Sequence, residues 1–303
     1  MSITLLGAGE IRQIAESLDL RPTKSLGQNF VIDSNTCQKI VRLAGITSSD
    51  HVVEIGPGLG SLTLALLQAS NKVTAIEIDK RLSDQLELTA KSHGANSKNL
   101  IIVNADAMEV HEIAGRPDKL VANLPYNISV PVLLNFLEKF ESITSGIVMV
   151  QSEVAERLAA KPGSKIYGVP SAKAAWWADL KLADSVSRSI FWPVPKVDSS
   201  LVKFTRHKPL GDERLRKLTF ELVDRAFRQR RKMLRSIYAD LAGGSAQAEQ
   251  LLIASGIEPT IRGEALTIDD FLAIARQLDR LNSAVVIPSP HERPCSGSSS
   301  GKD

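Results

Sequence analysis

The sequence predicts a doubly wound α/β domain with a smaller, C-terminal helical domain after it. Three observations carry this. Short Val/Ile/Leu-rich runs alternate with helix-period segments through the first two thirds of the chain, and strands apolar on both faces belong to a parallel sheet covered on two sides. The run "HVVEI" leads through the turn "GPGLG" straight into the helix pattern "SLTLALLQA". After residue 206 the alternation stops, and a basic, Leu-punctuated helical pattern replaces it. The 303 residues have room for one large and one small domain. We place the α/β domain at 1–206, the helical domain at 207–282 and a tail at 283–303. The tail is rich in Ser, Pro and Gly and is expected to be disordered.

The elements follow in order. "IRQIAESLDL" is an amphipathic helix stopped by Arg21-Pro22. "KSLGQNFVID" is a polar, Gly-containing loop, and "NTCQKIVRLAGI" returns to helical spacing with Gly45 as its C-cap. The strand "HVVEI", the glycine turn and "SLTLALLQA" come next. The strands "KVTAIEID", "NLIIVNAD", "KLVANL" and "SGIVMV" then alternate with the helices "KRLSDQLELTAKSH" and "VPVLLNFLEKF". On this pattern the doubly wound body runs from about residue 10 to 190.

Composition narrows the function. Residues 203 to 235 hold 12 Lys/Arg against 4 Asp/Glu, a net of +8 that leaves the rest of the chain at −5 against a total of +3. A mildly acidic body with a basic block suits a polyanionic partner, although a solvated basic helix has the same charge. Two cysteines, Cys37 and Cys295, make no disulfide framework and no zinc cluster, so no metal is expected. The first residues lack the charge and length of a secretory leader, and no run approaches a membrane span. A cytoplasmic, monomeric protein is expected.

"VVEIGPGLGSLT" sets glycines at 56, 58 and 60 between strand and helix. They let the backbone turn sharply and let a ligand approach its amides. The spacing is not that of dinucleotide binders, and no lysine occupies the phosphate-loop position. Glu77 ends the second strand, where a carboxylate can accept from ribose hydroxyls; Asp79 could compete for that role. Asp106 ends the third strand and can accept from an exocyclic amine. All sit at the carboxyl ends of neighbouring strands, where open α/β sheets bind ligands. Together they describe an adenosine-bearing cofactor without a pyrophosphate cradle, and S-adenosylmethionine fits best.

The fourth strand ends in Asn123-Leu124-Pro125-Tyr126, beside the reactive end of such a cofactor. This tetrapeptide matches the (Asn/Asp/Ser)-x-Pro-(Tyr/Phe) signature of methyltransferases that act on exocyclic amines of nucleobases. An adenine amine is a poor nucleophile because its lone pair is delocalised into the ring. The Asn123 side-chain carbonyl and the Leu124 backbone carbonyl can accept from its hydrogens and draw the nitrogen toward tetrahedral geometry. Pro125 fixes the backbone. Tyr126 offers a ring face to a base taken out of its stack, worth about 1–3 kcal/mol.

With these residues in view, the chain resembles the small-subunit ribosomal RNA adenine N6-dimethyltransferase family. "KSLGQNFVID", "VVEIGPGLGSLT", "NLPYNIS", "MVQSEVAERL", "FWPVPKVDSSLV" and "AFRQRRKML" resemble its motifs in order, from about residue 21 to 280. The resemblance implies a Rossmann-like S-adenosylmethionine methyltransferase sheet. It also implies transfer of two methyl groups to N6 of each of two adjacent adenosines near the 3′ end of small-subunit (16S) rRNA, within a pre-30S particle. Carried over by residue, it puts the cofactor against Asn29, Val31, Gly56, Gly58, Glu77, Asp106 and Asn123. Val31 stands where many relatives have leucine, and its contact is expected through the backbone. Either Phe191 or Trp192 could pack near the flipped base. "VPSAKAAWW" has no assigned role. Two rivals remain: a DNA adenine methyltransferase, and a non-enzymatic assembly or transcription factor of the same fold.

The basic block completes the reading. In "LRKLTFELVDRAFRQRRKMLRSI", Leu215, Leu218, Leu222, Ala226, Met233 and Ile237 share one face of a continuous helix. Arg225, Arg228, Lys232 and Arg235 fall within about a quarter-turn of one another. With Arg231 they form a candidate RNA-binding stripe that neutralises phosphates without reading sequence.

Overall fold

The computed structural model describes residues 3–20 and 29–284. Three expectations lie outside the described residues: the helix stop at Arg21-Pro22, the first half of "KSLGQNFVID", and nearly all of the tail.

A seven-stranded sheet organises the molecule. Its strands are β2 (His51–Ile55), β3 (Lys72–Glu77), β4 (Leu100–Asn104), β5 (Lys119–Asn123), β6 (Ser145–Gln151), β7 (Ala178–Val186) and β9 (Ser199–Arg206). The order across the sheet is β4-β3-β2-β5-β6-β9-β7. The first five in that order are parallel, and β9 pairs antiparallel with both β6 and β7. Strand order reverses between β2 and β5, which opens a crevice at their carboxyl ends. Two residues on each side, β1 (Phe30–Val31) and β8 (Phe191–Trp192), form a separate antiparallel pair.

Helices cover both faces. Ahead of the sheet come α1 (Ala8–Ser17) and α2 (Ser34–Ala44). Between its strands lie α3 (Ser61–Ala69), α4 (Lys80–Ser92), α5 (Ser129–Lys139), α6 (Ser152–Leu158) and α7 (Val169–Ala174). Local chemistry sets their ends. Asp33 caps α2 by accepting from the Thr36 N–H at 2.9 Å, and Gly45 closes it in the left-handed region at φ 68°. Asp79 caps α4 in the same way, accepting from the Arg81 N–H at 2.9 Å.

Two expectations need correction. The sequence pattern named no strand after "SGIVMV", whereas β7 and β9 extend the sheet to Arg206 as an antiparallel edge. β7 mixes buried, half-buried and exposed positions, so it lacks the two-faced apolar run that marks the central strands. The basic helix also stops early. α8 (Glu213–Arg228), capped by Asp212, gives way to a turn before the short α9 (Leu234–Ile237). Glu264 draws the Arg230 guanidinium away at 2.6 Å, and the Leu234 N–H donates to the Ile261 carbonyl at 3.0 Å. The break shifts the helical phase: Leu234 is buried and Met233 is 42% exposed, so Met233 does not join the core face.

α10 (Ala239–Ala242), α11 (Ser245–Ala254) and α12 (Ile268–Ala284) complete the helical region. One buried cluster runs from the sheet through Trp176 and Trp177 to Leu222, Phe271 and Leu278. The unassigned "VPSAKAAWW" supplies that joint. Trp176 and Trp177 meet Phe220 edge-on, with ring centroids 5.9 and 5.3 Å apart, and Lys173 pairs with Asp224 at 2.9 Å. No helix among the described residues is long and apolar enough to cross a membrane.

Candidate active site

The crevice is built from four strand ends, those of β2, β3, β4 and β5. The turn after β2 enters it with Gly56, whose N–H donates to the Ile76 carbonyl at 2.9 Å. Gly58 sits at φ 56°, and a Cβ there would come within 2.9 Å of the Phe30 ring, so the turn admits only glycine at this point. From Gly56 the backbone carbonyl of Asn123 and Cδ of Pro125 are each one van der Waals contact away, 3.9 Å from where a Cβ would stand. The cleft between these segments opens to solvent, and Asn29, Val31, Glu77, Asp106 and Asn123 all line it.

Glu77 lies at the end of β3 and is 5% exposed. Its carboxylate accepts from the Gly58 N–H at 3.2 Å and the Asp79 N–H at 3.0 Å. Burial raises its pKa, and these two amide bonds oppose that rise. The geometry favours Glu77 over Asp79 for the ribose. The Asp79 carboxylate is engaged by the α4 amide and by the Arg81 guanidinium at 2.8 Å, which holds its pKa below the ordinary range, and it does not line the cleft. Asp106 does line it, with Oδ1 accepting from the Met108 N–H at 2.9 Å.

The Asn123 amide is oriented by its surroundings. Its Nδ2 donates to the backbone carbonyl of Asn29 at 3.1 Å, which leaves Oδ1 as the acceptor at the cleft. The Leu124 side chain is buried in the core, its N–H donates to the Met149 carbonyl at 3.1 Å, and the residue lines the cleft. A turn follows, closed by the Ile128 N–H on the Pro125 carbonyl at 3.2 Å. Half-buried Tyr126 projects from that turn, with its hydroxyl 2.8 Å from Ser199 Oγ.

A family model described as ribosomal RNA adenine dimethylase matches residues 20–280. The chain belongs to the ribosomal RNA adenine dimethylase family. It is 55% identical over 276 residues to ribosomal RNA small subunit methyltransferase A of Leifsonia xyli subsp. xyli, covering 90% of this chain and 98% of that relative. It is 52% identical over 282 residues to the protein of the same name from Streptomyces griseus subsp. griseus, covering 92% and 97%. Among solved structures, a dimethyladenosine transferase from Plasmodium falciparum aligns with a TM-score of 0.72 at 26% identity, over 84% of this chain and 98% of that one. The 23S rRNA methyltransferase ErmE shares the fold, with a TM-score of 0.64 at 24% identity over 83% and 100%.

The cleft of this dimethylase-family chain fits S-adenosylmethionine. Glu77 and Asp106 bring two acceptor carboxylates to its lining, and the glycine turn leaves room for backbone contact. Asn29 and Val31 line the same cleft. The Val31 carbonyl accepts from Ser61 Oγ at 2.6 Å and β1 pairs with β8, so its backbone is shared with the protein. Phe191 is fully buried and Trp192 packs beside Phe30, ring centroids 6.3 Å apart; neither lines the cleft.

Glu54 is the site residue that sequence reasoning missed. It lines the cleft at 1% exposure, accepts from Thr63 Oγ1 at 2.6 Å, and burial pushes its pKa up to about 8. The signal was a carboxylate inside "HVVEI", a strand buried at all five positions.

The basic residues divide. Arg225 pairs with Glu221 and Asp240 at 2.9 and 2.6 Å, and Arg235 approaches Glu249 at 3.5 Å. Arg228, Arg231 and Lys232 are exposed and make no ion pair among the described residues. The end of α8 at Arg228 places the last two on the turn, so the five cations do not form one helical stripe.

Proposed function

We propose that this protein dimethylates N6 of adenine on two adjacent adenosines near the 3′ end of 16S rRNA, using S-adenosylmethionine, within a pre-30S particle. The observation that carries the reading is the Asn123 amide, which lines the cleft and donates from Nδ2 to the Asn29 carbonyl, leaving Oδ1 free to accept.

The bound cofactor supplies an electrophilic methyl carbon on a sulfonium. The protein supplies position. Asn123 Oδ1 and the Leu124 carbonyl accept from the target amine and draw its lone pair out of conjugation. Pro125 holds that carbonyl in place, and Tyr126 receives the ring of the extruded base. Such preorganised acceptors act most strongly where the amine develops positive charge. Alignment supplies most of the acceleration. The product nitrogen is acidic once alkylated and can release its proton to water, so no dedicated base is needed.

The residues after 206 act as the RNA-holding domain, with Arg228, Arg231 and Lys232 as its open phosphate contacts. Ribosomal RNA is recognised by shape in the particle. The protein works as a cytoplasmic monomer, and its docking can also report on small-subunit assembly. Incubation with labelled cofactor and either unmethylated 30S particles or duplex DNA tests the proposal. Label in N6,N6-dimethyladenosine of 16S rRNA supports it; label only in DNA, or none, overturns it.

A further inference from the structure

We infer that Ser199 is a positioning residue for Tyr126: its buried hydroxyl anchors the free end of the tyrosine ring, so that the base platform is set before any base arrives. The inference rests on the role proposed above for Tyr126.

Ser199 is fully buried at the start of β9, level with Gln151 on β6 and Val186 on β7. Two ladders therefore hold its backbone. Around it, the Ser152 N–H donates to the Asp198 carbonyl at 3.0 Å, Ser152 Oγ lies 2.9 Å from Ser200 Oγ, and the Arg188 N–H donates to Asp198 Oδ1 at 2.9 Å. This frame presents Ser199 Oγ to the Tyr126 hydroxyl at 2.8 Å, and either oxygen can be the donor. It is the one hydrogen bond the Tyr126 hydroxyl makes among the described residues.

A tyrosine side chain has two soft torsions. At one end, the turn fixed by Pro125 sets the Cα of Tyr126; at the other, Ser199 sets its oxygen. With both ends held, the ring axis, and with it χ1, is set by the protein, and the entropy of immobilising it is not charged to RNA binding. The antiparallel edge of the sheet thus reaches into base recognition, although β9 does not line the cleft.

The test compares Ser199→Ala, Tyr126→Phe and the double variant. The readout is single-turnover methylation of unmethylated 30S particles at limiting particle concentration. Cofactor affinity is measured alongside by calorimetry. Loss of one neutral hydrogen bond should slow each single variant by about 3–10-fold. The double variant should be no slower than the worse single, and cofactor affinity should stay unchanged in all three. Isotope-labelled tyrosine gives a direct signature, because the chain has only three tyrosines and the other two, Tyr167 and Tyr238, are buried. In Ser199→Ala the couplings of Tyr126 Cγ to its backbone nitrogen and carbonyl carbon should average over χ1 rotamers, while those of the other two tyrosines stay fixed. Wild-type rate in Ser199→Ala, unaveraged Tyr126 couplings, or multiplying defects in the double variant overturn the inference. If Ser199→Ala melts early or loses cofactor, Ser199→Thr keeps the hydroxyl: restored rate and couplings support the anchor, and a persistent defect overturns it. A wild-type protein that leaves 30S particles unmethylated instead overturns the proposed function, while the couplings still decide whether Ser199 anchors the tyrosine.

Discussion

Asn123→Ala separates binding from chemistry. The amide makes one anchoring hydrogen bond, Nδ2–H to the Asn29 carbonyl at 3.1 Å. Losing it costs about 0.5–1.5 kcal/mol of stability, small against the roughly 5–15 kcal/mol that holds a domain folded. In the proposed mechanism the loss at Oδ1 is larger, because that oxygen would accept from the amine at which charge develops. Removing such a group lowers the chemical rate about 10²–10³-fold, or about 2.7–4 kcal/mol. Asn123→Asp is the informative control. It keeps acceptor oxygens but has no donor for the Asn29 carbonyl, so the carboxylate must turn from its position and the rate should stay low. Single-turnover methylation with saturating cofactor and saturating 30S particles isolates the step. RNA affinity should persist, since phosphate contacts supply it, and cofactor affinity should fall modestly. An alanine variant within about three-fold of the wild-type rate would refute the reasoning, because no other side chain in "NLPY" offers a comparably oriented acceptor.

Other perturbations probe the remaining parts. Glu77→Ala should weaken cofactor binding by about 1.5–3 kcal/mol; unchanged affinity by calorimetry rejects the ribose role, since Asp79 is held by Arg81 and its helix. Replacing Arg228, Arg231 and Lys232 together with Ala should weaken particle binding and reduce the slope of log K against log salt by about 2. A slope equal to wild type would make them solvated residues only. Glu54 gives a pH prediction for the cofactor-free protein. Burial raises its pKa from 4.5 to about 8, so the folded state binds the proton more tightly than the unfolded chain. Stability therefore falls as pH rises through that interval, by about 1.4 kcal/mol for each pH unit crossed. Glu54→Gln should flatten Tm between pH 5 and pH 8, and an unchanged slope would place the titration elsewhere.

The central strands, the glycine turn and the "NLPY" corner were legible because their signals are local. Apolar runs mark β2, β3, β5 and β6, glycine marks the turn, and a proline with its neighbours marks the end of β5. The tertiary structure alone decided the rest, through bonds between residues far apart in the chain. The different surroundings of Glu77 and Asp79 followed from which carboxylate the Gly58 amide met and which one Arg81 captured. The 3.6-residue pattern through Ile237 was compatible with one long helix, yet α8 ends at Arg228, and in the turn that follows Arg230 pairs with Glu264. Phe191 entered the core, and Trp192 packed beside Phe30 because β8 paired with β1. β9 was hidden because its place between β6 and β7 depends on closing long loops, whose cost and reward no short window of sequence contains. Ser199 shows the consequence: nothing about a serine in "VDSSLV" names its partner, and only the ladder that fixes β9 brings its hydroxyl to Tyr126.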